Sequence, residues 1–288
     1  MYTADWDDVL LPGKARRCWE GGRLRALLEG AETGSYDRGV ARAMAWLSWG
    51  AYAEYAGEGG KAALHAAMGV EERFFVDVVG VQCSLLWIDG MEDVVVVFRG
   101  SVGLMPWVYN VGVVPRSWEG AGKVHSGFAT AWRSVWKLLE PRLAGRRVWA
   151  TGHSLGGALA VLSVGMLEGS EGYVFGAPMV GNEVYAAAYA ENRCLWRCVL
   201  GADGVSRLPL PVKGVERFSY SHVGIEIPLQ SGVVSRRDGA LSMRELKVAF
   251  EGKRPPPVLS DHAVGNYLWA LELGRGGGWV GVLVAREC

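Results

Sequence analysis

The sequence predicts an α/β protein with a mostly parallel central sheet flanked by helices, and three observations carry that expectation. Short β-branched runs alternate with longer alanine- and leucine-rich stretches through the middle of the chain, the pattern of strands joined by crossover helices. One strand-like run, RVWAT, passes through a glycine-flanked turn straight into a helix-like stretch. Hydrophobic residues make up 50% of the 288, enough to bury a large core. No repeat and no long linker divides the chain, so residues 1–288 are expected to form one domain, with residues 1–38 an unassigned N-terminal extension.

The elements follow in order. Val40–Tyr55 is alanine-rich, free of proline and long enough for a helix. FFVDVV (74–79), VQCSLLWI (81–88) and VVVVF (94–98) are β-branched or aromatic runs of strand length, separated by short joints. Phe128–Leu143 has helical length. RVWAT (147–151) then reads as a strand, Leu155–Leu167 as a helix, YVF (173–175) as a strand and Glu183–Asn192 as a helix. WRCVL (196–200) and VGIEIPL (223–229) are strands, and Ala263–Leu273 is the last helix. In such sheets, sites form at the carboxyl ends of strands.

Charge and composition exclude several classes. Lysine plus arginine and aspartate plus glutamate number 30 each, so no basic field exists to attract nucleic acid, and no nucleic-acid partner is expected. The strongest apolar run, VVVVF, is far too short to cross a bilayer, so no transmembrane segment is expected. The opening MYTADWDDVLLPG carries Asp5, Asp7 and Asp8 where a secretory signal needs positive charge, which points to a cytoplasmic location. Cys18, Cys83, Cys194, Cys198 and Cys288 are odd in number and lack paired metal spacing. Reduced thiols are expected, with no metal and no organic cofactor.

The motif TGHSLGGALA (151–160) places Ser154 between a strand and a helix. A lone G-x-S-x-G is weak, but that strand-turn-helix context is what a nucleophile elbow requires. Gly152 and Gly156 are explained by the sharpness of the turn, where a Cβ would meet neighbouring backbone. A serine hydroxyl needs a base to take its proton and a carboxylate to orient that base, in the chain order Ser, Asp, His. Beyond Ser154 lie His222, at the start of a strand, and His262, in a loop before a helix, and His262 is assigned as the base. Asp203 follows the strand WRCVL and is preferred as the orienting acid. Asp261 is adjacent to His262, where side chains rarely orient one another, and Asp238 is flanked by arginines in a solvated loop. The Leu155 amide and the amide and hydroxyl of Ser101, in RGSVG after VVVVF, are the candidate oxyanion donors.

The series LSWGAYAEY, VVVVFRGS, VHSGF, TGHSLGGALA, FGAPMVGN, DGVSRLP, SHVG and DHAVGNY, in that order from about Val40 to Leu268, resembles the class 3 lipase family of α/β hydrolases, which includes the fungal triacylglycerol lipases. The resemblance implies an α/β-hydrolase fold, Ser154 as nucleophile, Asp203 and His262 as its partners, and Ser101 with Leu155 at the oxyanion. It also implies structural or supporting roles for His125 and His153. The family commonly has proline where this chain has Ser206, which leaves the acid loop less rigid on this reading. Residues 1–38 and the stretch after Leu273 match nothing in the pattern.

Between the oxyanion segment and VHSGF, residues 102–122 carry Leu104, Met105, Trp107, Val108, Tyr109 and Val111. PWVYNV is similar to the lid helix of these lipases, so 102–122 is the candidate lid, expected to open at a lipid surface. The 13 tryptophans could line an acyl groove or fill core, and acyl length is not readable from them. The expected function is hydrolysis of lipid carboxylic esters, acylglycerols above all, through an acyl-enzyme. Rivals are a phospholipase or acyltransferase on the same three residues, or a silent lipase-like binding module.

Overall fold

In the computed structural model, residues 19–52, 60–101, 115–119, 121–190, 194–201, 203–209, 219–229 and 261–273 are described. The described helices are α1 (Leu24–Gly30), α2 (Arg38–Gly50), α3 (Gly60–Met68), α4 (Ser126–Leu143), α5 (Leu155–Met166), α6 (Glu183–Ala190) and α7 (Val264–Leu273). The strands are β1 (Val70–Val78), β2 (Val81–Ile88), β3 (Val94–Phe98), β4 (Pro115–Ser117), β5 (Lys123–His125), β6 (Val148–His153), β7 (Glu171–Phe175), β8 (Gly181–Asn182), β9 (Cys194–Leu200), β10 (Tyr220–Ser221) and β11 (Ile225–Leu229).

Seven strands form the central sheet in the order β1-β2-β3-β6-β7-β9-β11. The first three run antiparallel to one another, and β3 through β11 are parallel. This is the α/β-hydrolase arrangement that the sequence predicts. β3 shows why its residues choose this place. Val94, Val96 and Phe98 join Phe128, Trp132 and Leu159 from α4 and α5 on one face, while Val95 and Val97 join Met44, Leu47 and Leu271 from α2 and α7 on the other. A continuous apolar run is needed where a strand is covered on both sides, and burying each valine contributes about 2 kcal/mol.

Polar bonds fix the helices to this sheet. Ser48 Oγ on α2 lies 2.9 Å from Thr151 Oγ1 on β6, and Thr151 Oγ1 donates to the Tyr173 carbonyl at 2.7 Å. Trp132 Nε1 on α4 donates to Ser163 Oγ on α5 at 2.9 Å. Asp37 caps α2 by accepting from the Val40 N–H, and His125 Nδ1 caps α4 by accepting from the Gly127 and Phe128 amides. A second sheet, β10-β8-β5-β4, is small and antiparallel.

Several elements differ from the sequence reading. α2 ends at Gly50, with Ala51 N–H bonded back to the Leu47 carbonyl, whereas the expected helix runs to Tyr55; residues 53–59 lie outside the described residues. α1 and α3 are short, and β4, β5, β8 and β10 have two or three residues each, too few to show a period. Part of the expected N-terminal extension is core: Leu24 and Leu28 of α1 are buried against α2, and Trp19 meets Trp46 edge-on at 6.2 Å. Of the candidate lid, 102–114 and 120 lie outside the described residues. In its later part, β4 pairs with β5, and Trp118 is buried against Trp132 with ring centroids 5.2 Å apart. No helix among the described residues is long and apolar enough to cross a membrane. Cys83 and Cys198 are free thiols. Cys194 and Cys198 sit four residues apart on β9, about 13 Å between Cα atoms, beyond disulfide reach.

Candidate active site

The turn from β6 into α5 is as tight as its glycines suggest. Ser154 has φ 59 and ψ −125, a backbone state costing a non-glycine residue about 1–3 kcal/mol. A Cβ on Gly152 would lie 2.8 Å from the Gly157 nitrogen and closer still to the Gly156 carbonyl. One on Gly156 would strike the Phe98 carbonyl at the end of β3. That close approach presses the first turn of α5 against the segment leading to Ser101. The amide of Leu155, first residue of α5, and half-buried Ser101 therefore flank the same strand ends. Helix N-termini favour negative charge, so the place suits an oxyanion.

Asp203 and His262 meet directly. His262 Nδ1 lies 2.9 and 3.0 Å from the two Asp203 carboxylate oxygens, and both residues are buried. The Val205 N–H donates to Asp203 Oδ1 at 2.8 Å and Tyr267 Oη to Oδ2 at 2.6 Å. Burial alone would raise the Asp203 carboxyl, but the His262 imidazole and these donors outweigh it and hold the group below the usual carboxylate range. His262 Nδ1 thus carries the proton that faces Asp203. Its Nε2 is buried with no hydrogen-bond partner among the described residues. Ser154 and His262 are not hydrogen-bonded to each other. His153, the residue before Ser154, packs against the His262 ring at a tilt of 33°, with centroids 4.6 Å apart. Resting-state separations of this kind commonly close only when substrate arrives.

The remaining candidates fall elsewhere. His222 Nε2 donates to the Ser206 carbonyl at 2.7 Å and does not reach Asp203. Asp261 is buried, and the partner of His262 is Asp203. Asp238 lies outside the described residues. In the acid loop Ser206 Oγ donates to the Asp203 carbonyl at 2.7 Å, and His222 Nε2 donates to the Ser206 carbonyl. Tyr267 and Gly176 were missed by sequence reasoning. A Cβ on Gly176 would lie 2.5 Å from Asp203 Oδ2 and 3.0 Å from both His262 Nδ1 and Tyr267 Oη. Both residues sit in runs singled out above, FGAPMVGN and DHAVGNY, but a buried tyrosine on a helix looks like core until its hydroxyl is placed. Among the described residues no group of three or more His, Cys, Asp or Glu side chains gathers as it would around a metal ion.

A strained serine at a helix N-terminus, with an imidazole backed by a buried carboxylate packed against the preceding residue, is equipped for acyl transfer. Residues 95–213 match the lipase (class 3) family. The secreted mono- and diacylglycerol lipase 1 of Fusarium solani is 30% identical over 173 residues, covering 54% of this chain and 49% of that protein. A lipase of Rhizomucor miehei is 31% identical over 157 residues, covering 48% of this chain and 42% of that protein. The chain spans about half the length, or less, of these curated relatives. A solved triacylglycerol lipase, described as having a serine protease triad at its catalytic centre, superposes with a TM-score of 0.58 at 22% identity, covering 79% of this chain and 94% of that one. At that identity the likeness shows the fold. One expectation is corrected: the Fusarium solani relative is named a secreted protein, which points outside the cell and overturns the cytoplasmic location. Acidic residues near position 5 do not fix where the folded chain works.

Proposed function

We propose that this chain, whose residues 95–213 match the lipase (class 3) family, hydrolyses the carboxylic esters of acylglycerols through an acyl-enzyme on Ser154. The observation that carries the reading is the buried Asp203–His262 pair, whose free Nε2 lies in the same strand-end cluster as the strained Ser154. In this reading His262 Nε2 takes the Ser154 proton as the hydroxyl attacks the ester carbonyl, and the Leu155 amide with Ser101 receives the oxyanion. The same imidazole returns the proton to the leaving alcohol, and water, activated in turn by His262, releases the fatty acid. Asp203 stays ionised and steadies the imidazolium. The names of the relatives support acylglycerols as substrate, with mono- and diacylglycerols to be tested beside triacylglycerols.

The test uses the purified protein with emulsified triacylglycerol, dispersed mono- and diacylglycerol and a soluble short-chain ester. Ser154→Ala should lower turnover by about a millionfold, as removal of a triad nucleophile does. Turnover retained by that variant would overturn Ser154 as nucleophile. A folded wild-type protein that cleaves none of these and is not labelled by a serine-directed phosphonate would be a binding module instead. Adding glycerol or a lysolipid as acceptor separates hydrolase from acyltransferase by the product formed. If activity per molecule does not rise as a sparingly soluble ester passes from monomers to droplets, the lid reading of residues 102–122 is lost.

A further inference from the structure

Two buried side chains outside the Ser154, Asp203 and His262 set lie on one hydrogen-bonded line that touches three of the loops building the site. Tyr52 Oη is 3.0 Å from His153 Nδ1, and His153 Nε2 is 2.6 Å from the His262 carbonyl oxygen. The Gly100 N–H bonds to the Tyr52 hydroxyl, and the two are so close that a Cβ on Gly100 would overlap Tyr52 Oη. Gly100 precedes Ser101, and His153 precedes Ser154.

Chemistry fixes the direction of every bond. A carbonyl oxygen only accepts, so His153 carries a proton on Nε2. Burial, together with the neighbouring His262, lowers His153 to about 3, which keeps the ring neutral and leaves Nδ1 as an acceptor. Tyr52, its hydroxyl pushed well up by burial, therefore donates to Nδ1 and receives the Gly100 N–H on its oxygen. Each donor along the line points on towards His262.

We propose that Tyr52 and His153 are positioning residues for the base, holding the His262 backbone in register with Ser154 and with the segment that enters Ser101. The proposal rests on the reading of Ser154, Asp203 and His262 given above. His262 is then held twice, its ring by Asp203 and its backbone by His153, while Nε2 stays unengaged. Ring pairing alone leaves the loop free to shift as the imidazole gains and loses its proton. A misplacement of 1 Å at reacting atoms costs on the order of a hundredfold in rate. Two hydrogen bonds that never touch substrate can therefore act on turnover.

The experiment measures kcat and KM on a soluble ester, and the rate of Ser154 labelling by a serine-directed phosphonate, for the wild type, Tyr52→Phe, His153→Phe and His153→Gln. Tyr52→Phe should lower kcat about tenfold and His153→Phe about a hundredfold, with KM within about twofold and labelling slowed in step with kcat. His153→Phe keeps a ring against His262 but loses both hydrogen bonds, whereas the Gln amide can still donate to the His262 carbonyl. His153→Gln should accordingly recover to within about tenfold of the wild type. Equal loss in the Phe and Gln variants, or losses that follow KM or thermal midpoint alone, would overturn the proposal. Nitrogen-15 spectra of the histidines test the line without any variant: His153 should hold the Nε2–H tautomer from pH 5 to 8, and a proton on Nδ1 in that range refutes it. A wild type that neither turns over ester nor takes the label at Ser154 is a failure of the catalytic reading, visible before any variant is made. A labelled wild type with unaffected Tyr52→Phe and His153→Phe is a failure of this proposal alone.

Discussion

Asp203 shows what a buried charge requires. Taken out of water, a carboxylate is tolerated only when its lone pairs are met, and here two oxygens receive His262 Nδ1, Tyr267 Oη and the Val205 N–H. Burial and the Asp203 charge push the Tyr267 hydroxyl well up, so it remains a donor. Tyr267 also accepts the Leu200 N–H at 3.2 Å, tying α7 to the end of β9. Tyr267→Phe should destabilise the protein by about 2 kcal/mol, the range for hydrogen bonds to charged groups, with a measurable loss of kcat. Denaturant unfolding at pH 7.5 checks this, and a change below about 0.5 kcal/mol would mean that water replaces the hydroxyl. The pairing of Asp203 with His262 was legible in the sequence because only two histidines and three aspartates lie past Ser154, and both members of the pair sit in loops. Tyr267 was not, since its role depends on a hydroxyl meeting a carboxylate 64 positions away in sequence.

At the scale of elements, the site is the row of carboxyl ends of β3, β6, β7 and β9, neighbours in the sheet. β3 leads to Ser101, β6 to Ser154, β7 to Gly176 and β9 to Asp203. This row was readable because β-branched runs of five to seven residues alternate with helices, and each is followed by a motif that ends the strand. The small sheet and α3 were not, because two-residue strands and a nine-residue helix leave no period to detect. Gly176 is the element-scale constraint that the motif FGAPMVGN conceals: its φ is 56 and the Asp203–His262 bond lies directly over its Cα. Gly176→Ala should therefore cost more activity than stability, about a hundredfold in kcat, because the added methyl must push Asp203 or His262 aside. Retained kcat would show that the β7 end can move away without disturbing the pair. The acid loop makes the complementary case. Ser206→Ala removes the Oγ bond to the Asp203 carbonyl, and a loss of about 1 kcal/mol in unfolding free energy is expected if that bond stiffens the loop as proline would. An unchanged unfolding free energy would assign the stiffness to His222 instead.

Across the whole molecule, the histidines tie stability to pH. Four of the five are lowered by burial: His125 and His222 to about 4, His153 to about 3, and His65 in the same direction. Unfolding returns each to the ordinary value near 6.5, so between about pH 6.5 and 4 the unfolded chain binds protons that the folded chain excludes. The stability these groups contribute is full above pH 6.5 and is lost as the pH falls towards 4. Asp203 acts in a lower window. Its folded carboxyl is held down, so its contribution is present above about pH 4 and disappears only as the pH drops through the lowered value. Each excluded proton changes the unfolding free energy by about 1.4 kcal/mol per pH unit, so the four histidines produce a steep loss before Asp203 is protonated. Urea midpoints at pH 8, 6.5, 5.5 and 4.5 should be flat between the first two and fall sharply after. His125→Asn isolates one contribution, because the amide oxygen can still cap α4 but does not titrate. That variant should unfold with a slope shallower by about 1.4 kcal/mol per pH unit between pH 6.5 and 4.5. An unchanged slope would mean that His125 is protonated in the folded protein, and a wild-type profile level down to pH 4.5 would mean the same of all four.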